Sequence, residues 1–209
     1  MNIIKLNQKS WNKIGARTAS PYLNQGNYLV LFNEFCDQLP ENAKVLDLGC
    51  GPGIPVTTEL VFRGFNVTGI DFSKEMIKHA KSNNPTANFK EISMTNINYE
   101  NEFDGIISSY SMLCLDPKNF EITISKISKA LKPNGLFFIA LNELKGKLDE
   151  SKLICKIDKQ DIYSRAYSKE EITEFGQKYN LNVLQVKREI YESKMYGKEN
   201  CLIMILLKT

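Results

Sequence analysis

Apolar residues along the chain alternate between two spacings, and this alternation predicts the order of strands and helices. Short runs rich in Val, Ile, Leu and Phe, which are typical of buried strands, lie near 44–48, 66–70, 88–92, 103–108, 135–141, 181–190 and 201–207. Between these runs the apolar residues recur at helical spacing, which predicts helices at about 54–63, 73–82, 118–131 and 169–179. Strands and helices that alternate in this way predict an α/β fold with a doubly wound sheet of seven strands.

The last two predicted strands differ from the others because no helical pattern lies between them. Parallel neighbours need a crossover of a dozen or more residues, whereas antiparallel neighbours can be joined by a tight turn. We therefore expect a mostly parallel sheet with an antiparallel C-terminal hairpin at its edge.

The remaining segments predict additions to one domain, over residues 1–209. One apolar helical face ends at Pro40 and consists of Tyr28, Leu29, Leu31, Phe32, Phe35, Cys36 and Leu39. Residues from about 1 to 40 are therefore interpreted as a helical cap. Residues from about 144 to 167 are polar and charged and interrupt the alternation, which favours a lid or substrate insert. Within that insert, surface packing is favoured over a pocket role for Tyr163, Arg165 and Tyr167.

A glycine-rich loop follows the first predicted strand. Asp47 stands near the end of that strand, and Gly49, Gly51 and Gly53 follow at alternate positions. Glycine allows a sharp turn and a close approach of the backbone to a ligand. Twenty residues after Gly51, the second strand ends in Asp71, whose carboxylate can accept both hydroxyls of a ribose. This order predicts a nucleoside site.

The charges around the loop favour one class of nucleoside. The spacing Gly49-x-Gly51-x-Gly53 is not the Gly-x-Gly-x-x-Gly of dinucleotide sites. Asp47 would repel a pyrophosphate but suits a cationic amino group. S-adenosyl-L-methionine (SAM) carries a ribose, an ammonium group and a sulfonium, with no phosphate, so SAM is favoured over NAD.

The order of motifs resembles the class I SAM-dependent methyltransferases, particularly the small-molecule type, from about Trp11 to Thr209. The resemblance implies a Rossmann-like sheet. It also implies that the first motif cradles the methionine moiety, that Asp71 binds the ribose and that the residues after it pack on adenine. At Ser93 the family usually has an aspartate, which accepts a hydrogen bond more strongly than a hydroxyl does. The implied cofactor contacts in this part of the chain are Asp47, Gly49, Cys50, Gly51, Asp71, Phe72, Met76, Ser93 and Met94.

Three further cofactor contacts are implied outside these motifs. In similar enzymes an N-terminal helix bearing Trp and Tyr closes over SAM, which makes Tyr22 and Arg17 candidates. Arg17 would pair with the methionine carboxylate; a solvent-facing arginine is the alternative. Ser109, after the fourth strand, is a candidate to bond the amino acid moiety, and capping of the turn is its alternative.

Candidates for catalytic chemistry are few. Tyr110 follows the fourth strand at its carboxyl end, where ligands bind in open α/β sheets, so its phenol could orient or deprotonate a substrate; packing against the methionine chain is the alternative. His79 is the one histidine and is flanked by lysines, which favours a solvated surface position. Cys114 stands where relatives often carry a histidine and is interpreted as a small buried residue. We therefore expect catalysis by alignment of the reactants, without a histidine base.

Composition narrows the setting of this chemistry. A net charge of +3, from 27 basic and 24 acidic residues, gives no clear nucleic-acid footprint. No apolar run approaches the roughly 20 residues that span a bilayer, and no basic-then-apolar signal pattern is present. The five cysteines form no Cys-x-x-Cys pair, which favours a reducing cytoplasmic location without a disulfide framework or a metal site.

The sequence thus predicts a methyltransferase that moves a methyl group from SAM to a small molecule, as a monomer or homodimer. A SAM-binding protein without transferase activity, a methyltransferase acting on a protein, and an oxidoreductase using NAD or a nucleotide sugar stay open as alternatives.

Overall fold

The computed structural model describes residues 2–18, 26–193 and 197–209. The strands are β1 (Lys44–Leu48), β2 (Asn66–Asp71), β3 (Asn88–Glu91), β4 (Phe103–Ser109), β5 (Leu131–Asn142), β6 (Ile154–Ile157), β7 (Gln160–Tyr163), β8 (Leu181–Ser193) and β9 (Gly197–Lys208). The helices are α1 (Ile3–Ile14), α2 (Gly26–Asp37), α3 (Val56–Phe62), α4 (Lys74–Asn83), α5 (Pro117–Ala130) and α6 (Lys169–Lys178).

The main sheet has seven strands in the order β3-β2-β1-β4-β5-β9-β8. The first five are parallel, whereas β9 is antiparallel to β5 and β8 is antiparallel to β9. This arrangement confirms the predicted Rossmann-like, doubly wound sheet with an antiparallel hairpin at its edge. The order of strands reverses beside β1, so the carboxyl ends of β1, β2 and β4 meet where a ligand crevice is expected.

Helix caps fix where the helices begin. Ser73 caps α4 by accepting a hydrogen bond from the backbone N–H of Met76. Asp116 caps α5, whose first residue is Pro117, a position at which no backbone donor is needed. Because α4 starts directly after β2, its first turn lies beside the Asp71 carboxylate.

Two apolar cores lie on opposite faces of the sheet, because side chains alternate along each strand. Leu46, Ile106 and Phe137 pack on the face covered by α5 and α6, and Val45 and Ile107 pack on the face covered by α2 and α3. In α2, the residues expected on the apolar face are buried with the exception of Leu29, which is 37% exposed. Among the described residues, no helix is long and apolar enough to cross a bilayer.

The segment interpreted as an insert contains a hairpin that the sequence pattern does not reveal. Strands β6 and β7 pair with each other and form a separate two-stranded sheet. Their turn consists of Asp158 and Lys159, both at positive φ (45° and 63°). That geometry normally selects Asn-Gly or Asp-Gly, so a turn ending in lysine gives no hairpin signal. Strand β5 also begins earlier than predicted, at Leu131.

Helix α1 holds this hairpin over the sheet. The Asn7 side chain accepts from the backbone N–H of Tyr163 (2.8 Å) and donates to the carbonyls of Tyr163 (2.9 Å) and Cys114 (3.1 Å). Ser10 Oγ donates to the carbonyl of Asp161 (2.7 Å). Since Asn7 is fully buried, these bonds satisfy polar groups that water cannot reach, and they fix the hairpin against α1.

Candidate active site

A cleft of about 890 Å³ opens at the carboxyl ends of the parallel strands, between the sheet, α1 and the β6–β7 hairpin. One end, here called the glycine-loop end, is lined by Asp47, Gly49, Cys50, Gly51, Pro52, Asp71, Phe72, Met76, Ser93 and Met94. The other, here called the hairpin end, is lined by side chains from within 113–115, 142–157, 164–166 and 198–200. Ser109 and Tyr110 lie between the two ends.

Asp47 is one of two buried carboxylates at the glycine-loop end. It is 2% exposed, and its Oδ2 accepts a hydrogen bond from Thr57 Oγ1 (2.6 Å). Burial raises the pKa of Asp47 to about 7, since little water is left to solvate the charge. A cation placed beside such a carboxylate stabilises its charged form.

Asp71 is the second buried carboxylate and is held by the backbone. Its Oδ1 accepts from the N–H of Ser73 (2.8 Å), and its Oδ2 accepts from the N–H of Gly51 (3.1 Å). Burial raises the pKa of Asp71 to about 6, although these donors lower it. The carboxylate therefore ties β2 to the glycine loop and is fixed in orientation before any ligand arrives.

Two glycines of the loop differ in the space around them. Gly49 has φ +70°, and a Cβ there would collide with Ser111, whose Oγ donates to the carbonyl of Leu48 (2.5 Å). Gly51 has φ +54° and would meet nothing within 4 Å. Packing therefore requires glycine at Gly49, whereas at Gly51 the missing side chain leaves room in the cleft.

The side chains after β2 and β3 close the glycine-loop end. Phe72 and Met76 both line the cleft, and Met76 is 5% exposed. The Ser93 hydroxyl also lines it but is already engaged, since Ser93 Oγ hydrogen-bonds with Thr95 Oγ1 (2.8 Å) and accepts from the Thr95 N–H (3.3 Å). The structure thus brings together the residues that the sequence assigns to the loop, the ribose acid and the adenine wall.

Between the two ends, Ser109 and Tyr110 are tied to α2. The Tyr28 phenol is buried and donates to Ser109 Oγ (2.8 Å). The Tyr110 ring stacks on the Tyr28 ring, with centroids 6.3 Å apart. Tyr110 Oη is buried, and its hydrogen bond with the Cys201 thiol lowers the pKa that burial of Cys201 raises. Tyr110 therefore offers the cleft mainly its ring.

Some predicted site residues are not brought to the cleft. The Arg17 guanidinium forms an ion pair with Asp158 (2.5 Å), is 64% exposed and does not line the cleft, because Arg17 lies in the 3₁₀ turn after α1 (Gly15–Thr18) and pairs with the hairpin turn. Tyr22 lies outside the described residues. His79 is exposed on α4, as predicted. Cys114 lines the cleft, but burial raises the pKa of its thiol to about 12.

The structure also places residues in the cleft that the sequence reasoning missed. Asn142 Nδ2 donates to Glu199 Oε1 (2.8 Å), and both side chains line the hairpin end. Asn142 Oδ1 is buried and accepts no hydrogen bond within the described part of the chain. Asn142 follows the apolar run of β5 and Glu199 precedes that of β9, which is a weak signal for a site. Arg165, for which surface packing was favoured, is buried and lines the same end.

Part of the chain is similar to known methyltransferases. Residues 45–135 match the family model described as a methyltransferase domain. The chain is 35% identical over 108 residues to a ubiquinone biosynthesis O-methyltransferase of Pelagibacter ubique, covering 50% of this chain and 44% of that protein. A ubiquinone biosynthesis O-methyltransferase of Rickettsia bellii is 25% identical, covering 90% of this chain and 82% of that protein.

Solved structures with the same fold include two that cover nearly the whole chain. The 1,6-didemethyltoxoflavin-N1-methyltransferase of Burkholderia thailandensis aligns with a TM-score of 0.74 at 19% identity, covering 97% of this chain and 87% of that chain. The magnesium protoporphyrin IX methyltransferase of Synechocystis aligns with a TM-score of 0.71 at 13% identity, covering 100% and 98%.

Coverage differs among these relatives, since the chain spans only 42–44% of the length of several curated methyltransferases that it matches. The matched residues 45–135 include the glycine loop, Asp71, Ser93 and Tyr110. The match over these residues and the order of strands agree with each other. Residues 45–135 therefore match a methyltransferase domain, and the whole chain has the fold of the SAM-dependent methyltransferases to which it is similar.

Proposed function

We propose that this protein transfers a methyl group from SAM to a small-molecule acceptor. The observation that carries the proposal is the pair of buried carboxylates, Asp47 and Asp71, on either side of the open backbone at Gly51. No Lys or Arg lies among the described residues that line the glycine-loop end. A site with two carboxylates and no cation suits a ligand that carries an ammonium and a ribose, and it disfavours a pyrophosphate.

The residues at the glycine-loop end fit the parts of SAM. Asp71 is oriented by two backbone N–H groups and would accept from the ribose hydroxyls. Asp47 would neutralise the ammonium group, directly or through water. Phe72 and Met76 would hold the adenine ring, since a flat apolar wall and a thioether both pack well on aromatic faces.

When bound, SAM supplies a methyl group already activated on a sulfonium. The chain's own contribution is then to align the acceptor and to exclude water. Tyr110 contributes a ring to the middle of the cleft, with Tyr28 and Ser109 behind it. The hairpin covers the far side and is held by Asn7. Approximation of two bound molecules, without a histidine base, is the mechanism that this arrangement supports.

Two features support a small-molecule acceptor. The cleft extends beyond the glycine-loop end to the hairpin end, within the range of volumes that hold small ligands. The matched relatives that act in ubiquinone biosynthesis and on 1,6-didemethyltoxoflavin are named for small-molecule acceptors. The hairpin and α1 cover the acceptor side, which leaves less access for a folded macromolecule.

The test is transfer of tritiated methyl from SAM into a cell extract separated into small-molecule and macromolecular fractions. We expect the label in the small-molecule fraction, and we expect Asp71→Ala to abolish this labelling. Label in the protein fraction instead would show that the acceptor is a protein and not a small molecule. If no label moves while S-adenosylhomocysteine still binds in calorimetry, the protein binds SAM without transferring its methyl group.

A further inference from the structure

The two ends of the cleft carry opposite charge. The glycine-loop end holds the carboxylates of Asp47 and Asp71, whereas the hairpin end is rich in basic side chains. Those that line it are Lys145, Lys147, Lys152, Lys156, Arg165 and Lys198. A cationic ligand is favoured at the first end and an anionic ligand at the second.

Three acidic side chains, those of Glu143, Asp149 and Glu199, also line the hairpin end, so its six basic side chains remain in excess. Glu143 accepts from Arg188 Nε (2.7 Å) and lies 3.7 Å from Lys145 Nζ. Asp149 pairs with Lys152 at 3.3 Å. Glu199 accepts from the Asn142 amide (2.8 Å). Arg188 lies outside the cleft lining and adds a further positive charge behind Glu143.

Arg165 is the basic group built most firmly into this end. Its side chain is only 9% exposed, its guanidinium lies 4.4 Å from the centroid of the Tyr167 ring, and its backbone N–H donates to the carbonyl of Leu113 (2.8 Å). Stacking on an aromatic ring fixes the plane of the guanidinium and leaves its edge available for hydrogen bonds.

The donors of this guanidinium are only partly used. Within the described chain, Nη2 donates to Glu171 Oε1 (2.7 Å) and Nη1 makes a long bond to the carbonyl of Ala166 (3.3 Å). A guanidinium has five N–H donors in a planar fork that matches carboxylate and phosphate oxygens. Arg165 therefore retains donors for an anionic group in the cleft.

Part of the lining of the hairpin end is apolar. Leu113, Leu144, Leu148 and Leu153 line the same end of the cleft. A guanidinium beside such a lining recognises an anion more strongly than one in open water, because the local dielectric constant is lower. A ligand with an apolar body and one anionic group satisfies both the leucines and the arginine.

We propose that Arg165 binds a carboxylate or phosphate group on an otherwise apolar methyl acceptor. This inference rests on the proposed function and specifies the acceptor class of the same cleft. Glu171 is the internal counter-ion, which neutralises Arg165 before the acceptor arrives and also accepts from the Ser168 N–H at the start of α6 (2.9 Å). Glu171 and the acceptor anion then compete for the same guanidinium.

The test uses two fluorescent probes that share an apolar body. 8-Anilinonaphthalene-1-sulfonate carries an anion, and N-phenyl-1-naphthylamine does not. Both are titrated into the full-length protein with saturating S-adenosylhomocysteine. We expect Arg165→Met to weaken the sulfonate probe about tenfold, as for loss of a charge-assisted hydrogen bond, and to leave the neutral probe unchanged. Lys159→Gln, in the exposed hairpin turn, removes the same charge and is the control with no expected effect.

Glu171→Gln keeps the proposal testable if Arg165→Met folds poorly. The glutamine can still accept from Ser168 but no longer neutralises Arg165, so we expect the sulfonate probe to bind severalfold tighter. Displacement by decanoate, decyl phosphate and decanol then separates the chemistries. The better displacer of the first two identifies carboxylate or phosphate as the anion.

The proposal is overturned if decanol displaces the probe as well as either anion does, or if neither Arg165→Met nor Glu171→Gln changes sulfonate binding. These titrations need no turnover. A failure of methyl transfer would therefore not contradict the anion site. Loss of the anion site would not contradict SAM-dependent transfer to another acceptor.

Discussion

At the scale of single residues, the two carboxylates of the glycine-loop end gain their properties from burial. Asp47 and Asp71 are 2% and 7% exposed, and burial raises the pKa of Asp47 to about 7 and that of Asp71 to about 6. In the unfolded chain both would titrate near 4. Folding therefore favours the protonated form of each carboxyl, and a cationic ligand favours the charged form.

This difference predicts a pH dependence of ligand binding. Because both folded pKa values are raised, the stability that these two carboxyl groups contribute to the ligand-free protein is lost as pH rises from about 4 to about 7, where the unfolded chain holds fewer protons. S-adenosylhomocysteine should bind more tightly as pH rises from about 5 to about 8, because its ammonium group is stabilised by the charged form of the carboxylates. Calorimetric titration across this range checks the prediction, and Asp47→Asn should flatten the profile. An affinity that falls with pH would contradict it.

Gly51 provides a second test at this scale. A Cβ there would extend into the cleft, and the backbone sits at φ +54°. We expect Gly51→Val to abolish binding of S-adenosylhomocysteine in calorimetry. Gly64→Val is the matched control, because Gly64 also has positive φ (+85°) and free space but lies outside the cleft. Both variants should lose similar stability, so equal loss of binding in both would show a backbone effect instead.

Tyr110 was expected to act through its hydroxyl, and its environment argues for a different contribution. Oη is buried and bonded with the Cys201 thiol, while the ring stacks on Tyr28. We expect Tyr110→Phe to keep kcat within about threefold of wild type, since losing a general base costs about 10²–10⁴-fold. Once an acceptor is known, steady-state kinetics decide the point. A large fall in kcat at unchanged KM would assign the phenol a transition-state role.

At the scale of elements, α1 and the β6–β7 hairpin depend on each other. Asn7 is fully buried and joins them through two hydrogen bonds with Tyr163, and it makes a third with the carbonyl of Cys114. We expect Asn7→Leu to lower the free energy of unfolding by about 1–3 kcal/mol, because backbone groups of Tyr163 and Cys114 lose their partners. Hydrogen exchange should then be faster in β7 than in β1. Asn182→Leu, at an exposed site on β8, is the control expected to leave exchange in β7 unchanged.

At the scale of the whole molecule, the cleft joins the sheet, α1 and the hairpin, so a ligand in it links separate parts of the fold. Ligand that binds only the native state raises stability by mass action. We expect S-adenosylhomocysteine to raise the melting temperature in proportion to the logarithm of its concentration. NAD should leave it unchanged, because its pyrophosphate would face Asp47 and Asp71. Protection by NAD alone would contradict the assignment of the glycine-loop end.

The sheet and the glycine-loop end were predictable because they depend on local order along the chain. Apolar runs, the acid at Asp47, the glycines and the second acid at Asp71 follow each other within about one βαβ unit, and parallel strands bring their carboxyl ends to one edge. The missing crossover before β9 likewise predicted the antiparallel edge.

The hairpin end could not be predicted in this way, because its residues meet only through long-range packing. Asn7 contacts Tyr163 across 156 positions, and Asn142 contacts Glu199 across 57. The turn at Asp158 and Lys159 has positive φ without glycine, so the local sequence does not indicate a hairpin turn there. Arg17 shows the same limit, since the length of α1 and the position of that turn decide its partner.

The sequence by itself thus determined the fold class, the succession of strands and helices along the chain and the residues that form the glycine-loop end, since each follows from residue type and short spacing. Only the tertiary structure decided what faces that end across the cleft. Burial of Asp47 and Asp71, the hydrogen bond of the Tyr110 hydroxyl with Cys201, and the place of Arg165 in the cleft lining all depend on contacts between distant segments. Such contacts set solvation and orientation, which no local pattern in a sequence encodes.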